Sequence, residues 1–96
     1  MTDHRARILF ADDDAAALLV AQAALEESGY EVQCAEDGDR AIALYTEQPP
    51  DCLVLDIMMP GKNGFEVCQA IRALPGGKDV PILILMVYSF NESKLA

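Results

Sequence analysis

A run of β-favouring apolar residues, Cys52-Leu53-Val54-Leu55, ends on a carboxylate, Asp56, and passes through Ile57-Met58-Met59-Pro60-Gly61-Lys62-Asn63-Gly64 into a helical pattern. No other stretch constrains the fold as much. A short apolar run bounded by turn signals matches a buried strand, and the Pro and Gly residues after it demand a turn. Strand, turn and helix in succession form one unit of a parallel α/β sheet, with Asp56 at the carboxyl end of its strand. Loops leaving that end of an open parallel sheet form the crevice where ligands bind. A second run, Ile8-Leu9-Phe10-Ala11, meets Asp12-Asp13-Asp14 in the same way. Two acidic clusters at neighbouring strand ends make a candidate divalent-cation site.

The remaining segments extend the same alternation. Arg7–Ala11 reads as the first strand, and Asp14 can cap a helix that begins at Ala15, carries Leu18, Ala21 and Leu25 at helical spacing, and stops at Ser28-Gly29. Glu31–Ala35 alternates in polarity, which suits a strand at a sheet edge. Asp37-Gly38-Asp39 opens a second helix bearing Ala41, Leu44 and Tyr45, ended by Pro49-Pro50. After the Asp56 turn, Phe65, Val67, Cys68, Ile71 and Leu74 form the apolar face of a third helix that Pro75-Gly76-Gly77 closes. Residues 81–87 read as a fourth strand, apolar on both faces as central parallel strands are, and such a strand should be followed by more protein. Alternating β and α elements imply a parallel sheet with right-handed crossovers and helices on both faces.

Composition narrows the function classes. A chain of 96 residues with 52% hydrophobic content allows one domain with one core. A net charge of −9 argues against direct binding of nucleic acid or an anionic membrane, since both need a basic footprint. The amino terminus shows no targeting pattern, and the longest apolar run, residues 81–88, is too short to span a bilayer, so a cytoplasmic location is expected. Cys34, Cys52 and Cys68 show no metal or redox spacing and read as small buried hydrophobes, while His4 reads as a solvated residue without a role.

Taken together, Ile8-Leu9-Phe10-Ala11-Asp12-Asp13-Asp14, Ala35-Glu36-Asp37-Gly38 and Asp56-Ile57-Met58-Met59-Pro60-Gly61-Lys62-Asn63-Gly64-Phe65-Glu66 resemble the receiver domain of two-component response regulators. The resemblance covers residues 6 to about 86. It implies a flavodoxin-like three-layer sandwich, with a sheet of order 2-1-3-4 here and a fifth strand beyond it in the full pattern. It also implies that Asp56 is the phosphoacceptor for a histidine kinase or phosphotransfer protein. Mg²⁺ would be held by Asp13, Asp56 and the backbone carbonyl of Met58, with Asp12 contributing largely through water. The implied protein is a signalling phosphoacceptor whose only chemistry is its own phosphorylation and dephosphorylation, coupled to an output domain or downstream effector. The residues support this chemistry independently: Mg²⁺ takes oxygen ligands and keeps several waters, a carboxylate can attack phosphorus, and three crowded carboxylates without metal should raise at least one pKa.

Two features depart from the family pattern. The fourth strand there ends in Thr or Ser, whereas the aligned residue here is Met86, and a thioether cannot donate a hydrogen bond. The family's fifth strand with its Lys-Pro pair, and the last two helices, have no counterpart, and Lys94 is too close to the fourth strand to take that lysine's role. Ser89 stands out of register for the missing hydroxyl. Residues 6–87 thus read as a receiver cut short, and residues 88–96 as a tail outside the pattern whose Lys94-Leu95-Ala96 resembles vector read-through. Two rival functions follow. One is a pseudo-receiver, an interaction module that keeps the fold without the switch. The other is a phosphatase of the haloacid-dehalogenase type, for which Asp12 and Asp14 supply an Asp-x-Asp spacing. An open apolar edge on the fourth strand, finally, predicts a homodimer paired through that strand.

Overall fold

The fold follows from two strands that are apolar on every side. In a computed structural model that describes residues 5–86, β1 (Arg7–Ala11) and β3 (Cys52–Asp56) occupy the middle of a four-stranded parallel sheet. β2 (Glu31–Ala35) and β4 (Ile82–Leu85) flank them, giving the order β2-β1-β3-β4. This is the order implied by the family resemblance, and β2 lies at an edge as its alternation predicts. Asp51 fixes the start of the central pair: its amide donates to the Arg7 carbonyl at 2.8 Å and its Oδ2 accepts from the Arg7 amide at 2.7 Å.

Side chains alternate across the sheet, so each central strand feeds two cores. Leu9, Ala11, Leu53 and Leu55 pack against Ala41, Leu44 and Tyr45 of α2 (Gly38–Glu47) and Val67 and Ile71 of α3 (Gly64–Arg72). Ile8, Phe10 and Val54 point the other way and meet Leu18 of α1 (Ala15–Glu27). Full burial of Leu9, Leu53, Leu55 and Ile71 contributes roughly 1.5–3 kcal/mol for each side chain. All three helices start on a side-chain cap. Asp14 accepts from Ala16 N and Ala17 N, Asp37 from Arg40 N, and Asn63 forms a capping box with Glu66.

The structure corrects several expectations. Phe65 is 53% exposed: Val67 and Ile71, one turn apart, face the sheet, and a residue two positions before Val67 lies about 200° around the helix from it. α3 ends at Arg72, ahead of the Pro75-Gly76-Gly77 stop, and Leu74 packs against the core from the following turn. The three cysteines are half-buried rather than buried, because their strands and helix set them at the margins of the two cores. β4 covers Ile82–Leu85, and it is not buried on both faces. Ile82 and Ile84 are half-buried, whereas Leu83 is 58% and Met86 64% exposed, because no helix among the described residues covers that side. Val87, His4, Ser89, Lys94 and the 88–96 tail lie outside the described residues.

Arg72 steadies the connection into β4, its Nη1 donating to the carbonyls of Gly77 at 2.7 Å and Val80 at 2.6 Å. Gly77 sits so close to α3 that a Cβ there would lie 1.7 Å from the Ile71 carbonyl oxygen. Gly29 is the opposite case, with a φ of +97° but open space around it. Gly29→Ala should therefore cost only the left-handed strain of about 1–2 kcal/mol, and Gly77→Ala more, since backbone must move. Urea unfolding of the two variants checks this order; equal midpoints would refute the collision at Gly77.

Candidate metal centre

Asp12, Asp13 and Asp56 converge at the carboxyl end of the two central strands. Each offers a carboxylate oxygen, and these oxygens lie within 4.8 Å of one another. Backbone hydrogen bonds set the placement from both sides, with Asp12 N donating to Ala35 O of β2 at 3.0 Å and Ile57 N to Leu85 O of β4 at 3.1 Å. Asp12 and Asp56 are 9% and 8% exposed, while Asp13 is open to solvent. Two carboxylates are thus buried and one is accessible to solvent.

Asp14 does not join them. Its Oδ1 accepts from Ala16 N at 3.0 Å and Ala17 N at 3.4 Å, and its own amide donates to Asp12 Oδ1 at 2.9 Å. The Asp-x-Asp arrangement that a dehalogenase-type phosphatase needs is thus absent: the second carboxylate of that pair is the cap of α1.

The loop after β3 is shaped around Asp56. Met58 N donates to Asp56 Oδ1 at 3.3 Å, and the Met58 side chain is exposed, so only its backbone belongs to the site. The chain turns at Gly61, whose φ of +75° favours glycine, and returns so that Gly64 N donates to Ile57 O at 3.1 Å. A Cβ on Gly64 would stand 2.7 Å from the Asp56 carbonyl oxygen, so this position needs glycine for close approach. Sequence reasoning saw Gly64 only as part of a turn; its signal was a poor helix former standing at the first position of a well-capped helix. Met86 follows Leu85, the register partner of Asp56, one residue past the end of β4.

The donor set suits a hard cation. Asp12, Asp13 and Asp56 supply only oxygen, and an octahedral ion that keeps several waters needs just one or two carboxylates. No salt bridge offsets these charges, since the ion pairs among the described residues join Arg7 to Glu31 and Lys62 to Asp39. Burial raises the pKa of Asp12, and the neighbouring charge of Asp56 adds to that, against the opposing hydrogen bond from the Asp14 amide.

The raised value has a definite consequence for stability without metal. A carboxyl that holds its proton more tightly when folded stabilises the fold below its unfolded pKa, and that contribution is lost as pH rises through the folded value. Asp12→Asn keeps an oxygen acceptor for the Asp14 amide and removes the charge. In chelator-treated protein its melting midpoint at pH 7 should exceed the parent's, by roughly 4–8 °C per kcal/mol relieved. The difference should vanish below about pH 4. Melting curves across this range test it, and a variant less stable than the parent at pH 7 would contradict the charge crowding.

Comparison with known proteins places this geometry among relatives. The family described as "Response regulator receiver domain" matches residues 8–95, running on past the stretch that carries the motifs. "Response regulator MprA" of Mycolicibacterium vanbaalenii is 44% identical over 90 residues, which span 94% of this chain and 38% of that protein. The Mycobacterium leprae protein of the same name is equally similar, with 39% of its length covered. The chain therefore spans less than two fifths of these curated relatives. Among solved structures, the Vibrio cholerae chemotaxis protein CheY4 superposes with a TM-score of 0.86 at 33% identity, over 96% of this chain and 77% of that one. The response regulator TrrA of Thermotoga maritima, solved in complex with Mg²⁺-BeF, gives 0.80 at 38% identity over 94% and 76%.

Proposed function

This chain belongs to the response regulator receiver domain family, and we propose that it accepts a phosphoryl group from a histidine kinase or phosphotransfer protein onto Asp56. The observation that carries this reading is the convergence of Asp12, Asp13 and Asp56 at one strand end, with the acceptor loop closed around Asp56. An Asp56 carboxylate oxygen attacks phosphorus, the bond from phosphorus to the donor breaks, and its electron pair leaves with the donor. Asp13, Asp56 and the Met58 carbonyl would hold Mg²⁺, with Asp12 acting largely through water. Mg²⁺ bound there supplies positive charge that neutralises the transferring group. The complex of TrrA with Mg²⁺-BeF, at 38% identity, supports the same ligand class for this site. The signal would pass to an output domain or effector, in keeping with relatives that extend well beyond the matched region.

A second reading has its own support. Met86, one residue past the end of β4, offers no hydroxyl or ammonium to a phosphoryl group on Asp56. An equilibrium shifts only through contacts that differ between states, so the metal site and the acceptor can persist while the switch is weak, as in an interaction module.

Incubation with a small-molecule phosphodonor and Mg²⁺, followed by mass spectrometry, should add one phosphoryl group to the parent and none to Asp56→Asn. Mg²⁺ affinity should fall in Asp13→Asn; an unchanged titration would mean that the ligands are misassigned. Absence of labelling in a protein that binds Mg²⁺ normally would favour the interaction module.

The exposed apolar residues of β4 support a further part of this reading, a twofold homodimer through that strand. Leu83 and Met86 present apolar surface beside an edge that has no strand partner among the described residues, and such an edge is a template for pairing. Light scattering coupled to size exclusion should give twice the mass of one chain, and Leu83→Lys should halve it. A concentration-independent monomer would defeat the dimer.

A further inference from the structure

The first turn of α2 sits on the acceptor loop, though nothing in the chemistry assigned to Asp56 calls on α2. Gly38 is the contact point. A Cβ there would lie 2.6 Å from Val67 Cγ2, 2.9 Å from Lys62 Cβ and 3.0 Å from Lys62 O. Only glycine lets the two backbones approach this closely. The next residue, Asp39, accepts a hydrogen bond from Lys62 Nζ at 2.7 Å. Lys62 leads directly into Asn63, the cap of α3, and Gly64, which lies against the Asp56 carbonyl and bonds Ile57 O. One continuous set of contacts thus joins the amino end of α2 to the backbone that carries Asp56 and Met58.

We infer that Gly38 and the Asp39–Lys62 pair are positioning residues for the metal and acceptor site. They pin the loop between Met58 and Gly64 through Lys62. Asp39 and Lys62 touch neither the metal cluster nor the acceptor side chain, and act through the loop backbone. The inference deepens the proposed function and rests on it for its metal readout, but the loop lock is a property of the fold that can be measured without metal.

Charge alone and loop positioning predict opposite outcomes at Lys62. Lys62 is a cation outside an acidic cluster, so removing its charge through space would raise affinity for Mg²⁺, while removing the Asp39 charge would lower it. A lock predicts that both substitutions lower it. An exposed ion pair is weak and screened by salt, so Asp39→Asn and Lys62→Gln should each weaken Mg²⁺ binding by roughly two- to five-fold at low ionic strength. The exchanged pair, Asp39→Lys with Lys62→Asp, should recover most of the loss, and raising the salt to about 0.5 M should shrink the differences by screening the pair.

Hydrogen exchange on the metal-free proteins gives the independent readout. The Gly64 amide, bonded to Ile57 O, should exchange faster in both single variants and return toward parent protection in the exchanged pair. Gly38→Ala should do the same more strongly, and if it fails to fold, the surface variants still decide. A rise in Mg²⁺ affinity for Lys62→Gln, or unchanged Gly64 exchange in both single variants, overturns the inference. If the parent itself binds no Mg²⁺, the proposed metal site fails, and the Gly64 exchange rates alone uphold or refute the lock.

Discussion

Like charges held together at the end of a parallel sheet are the constraint around which this domain is arranged. Parallel strands send their carboxyl ends to one rim, and in this chain two of those ends carry aspartates. Burial of Asp12 and Asp56 beside the exposed Asp13 creates a site that favours either a proton or a cation. The apolar faces of β1 and β3 must be strong enough to hold that arrangement, and two cores, one on each side of the sheet, do so. The domain combines a largely buried strand pair with an unfavourable cluster at its tip, which is how a receptive site is kept open.

The close approaches around that tip depend on residues without side chains. Gly64 allows α3 to begin directly beneath the Asp56 carbonyl, and Gly38 allows α2 to rest on the loop that returns to α3. In both places a methyl group would strike backbone or a packed side chain. Such positions are costly in helical propensity, and their presence at the first residues of α2 and α3 marks where geometry near the site outweighs local preference. The capping residues Asp37 and Asn63 then supply what the glycines lack, by satisfying the first amides of the same helices.

The two faces of the sheet are unequal. α2 and α3 cover one face and meet each other across Ala41, Leu44, Val67 and Ile71. On the other face α1 is apolar nearly all round, leaving Leu19 and Val20 about 70% exposed, and Leu83 and Leu85 stand open at the β4 side. Single exposed apolar residues are ordinary, but here they recur on one flank. Relatives of which this chain spans 38%, and solved receivers of which it spans 77%, are longer proteins.

Much of the local structure was legible from the amino acids because it depends on short-range physics. Continuous apolar runs mark β1 and β3, and alternation marks β2; Asp14, Asp37 and the Pro-Gly turn mark helix starts; and the aspartates at strand ends follow from where the apolar runs stop. Strand order came from resemblance to a known family rather than from pattern, since crossovers join residues far apart in sequence. The resemblance named Asp12, Asp13 and Asp56, and the residue pattern offered Asp14 as a cap; what tertiary structure adds is the proximity itself, since Asp56 comes from a strand joined to β1 only in space. Tertiary structure also turned Phe65 outward, set the cysteines at the core margins, and brought Lys62 to Asp39 and Gly38. These outcomes depend on how helices rotate and dock on the sheet, and no local preference of a residue encodes that.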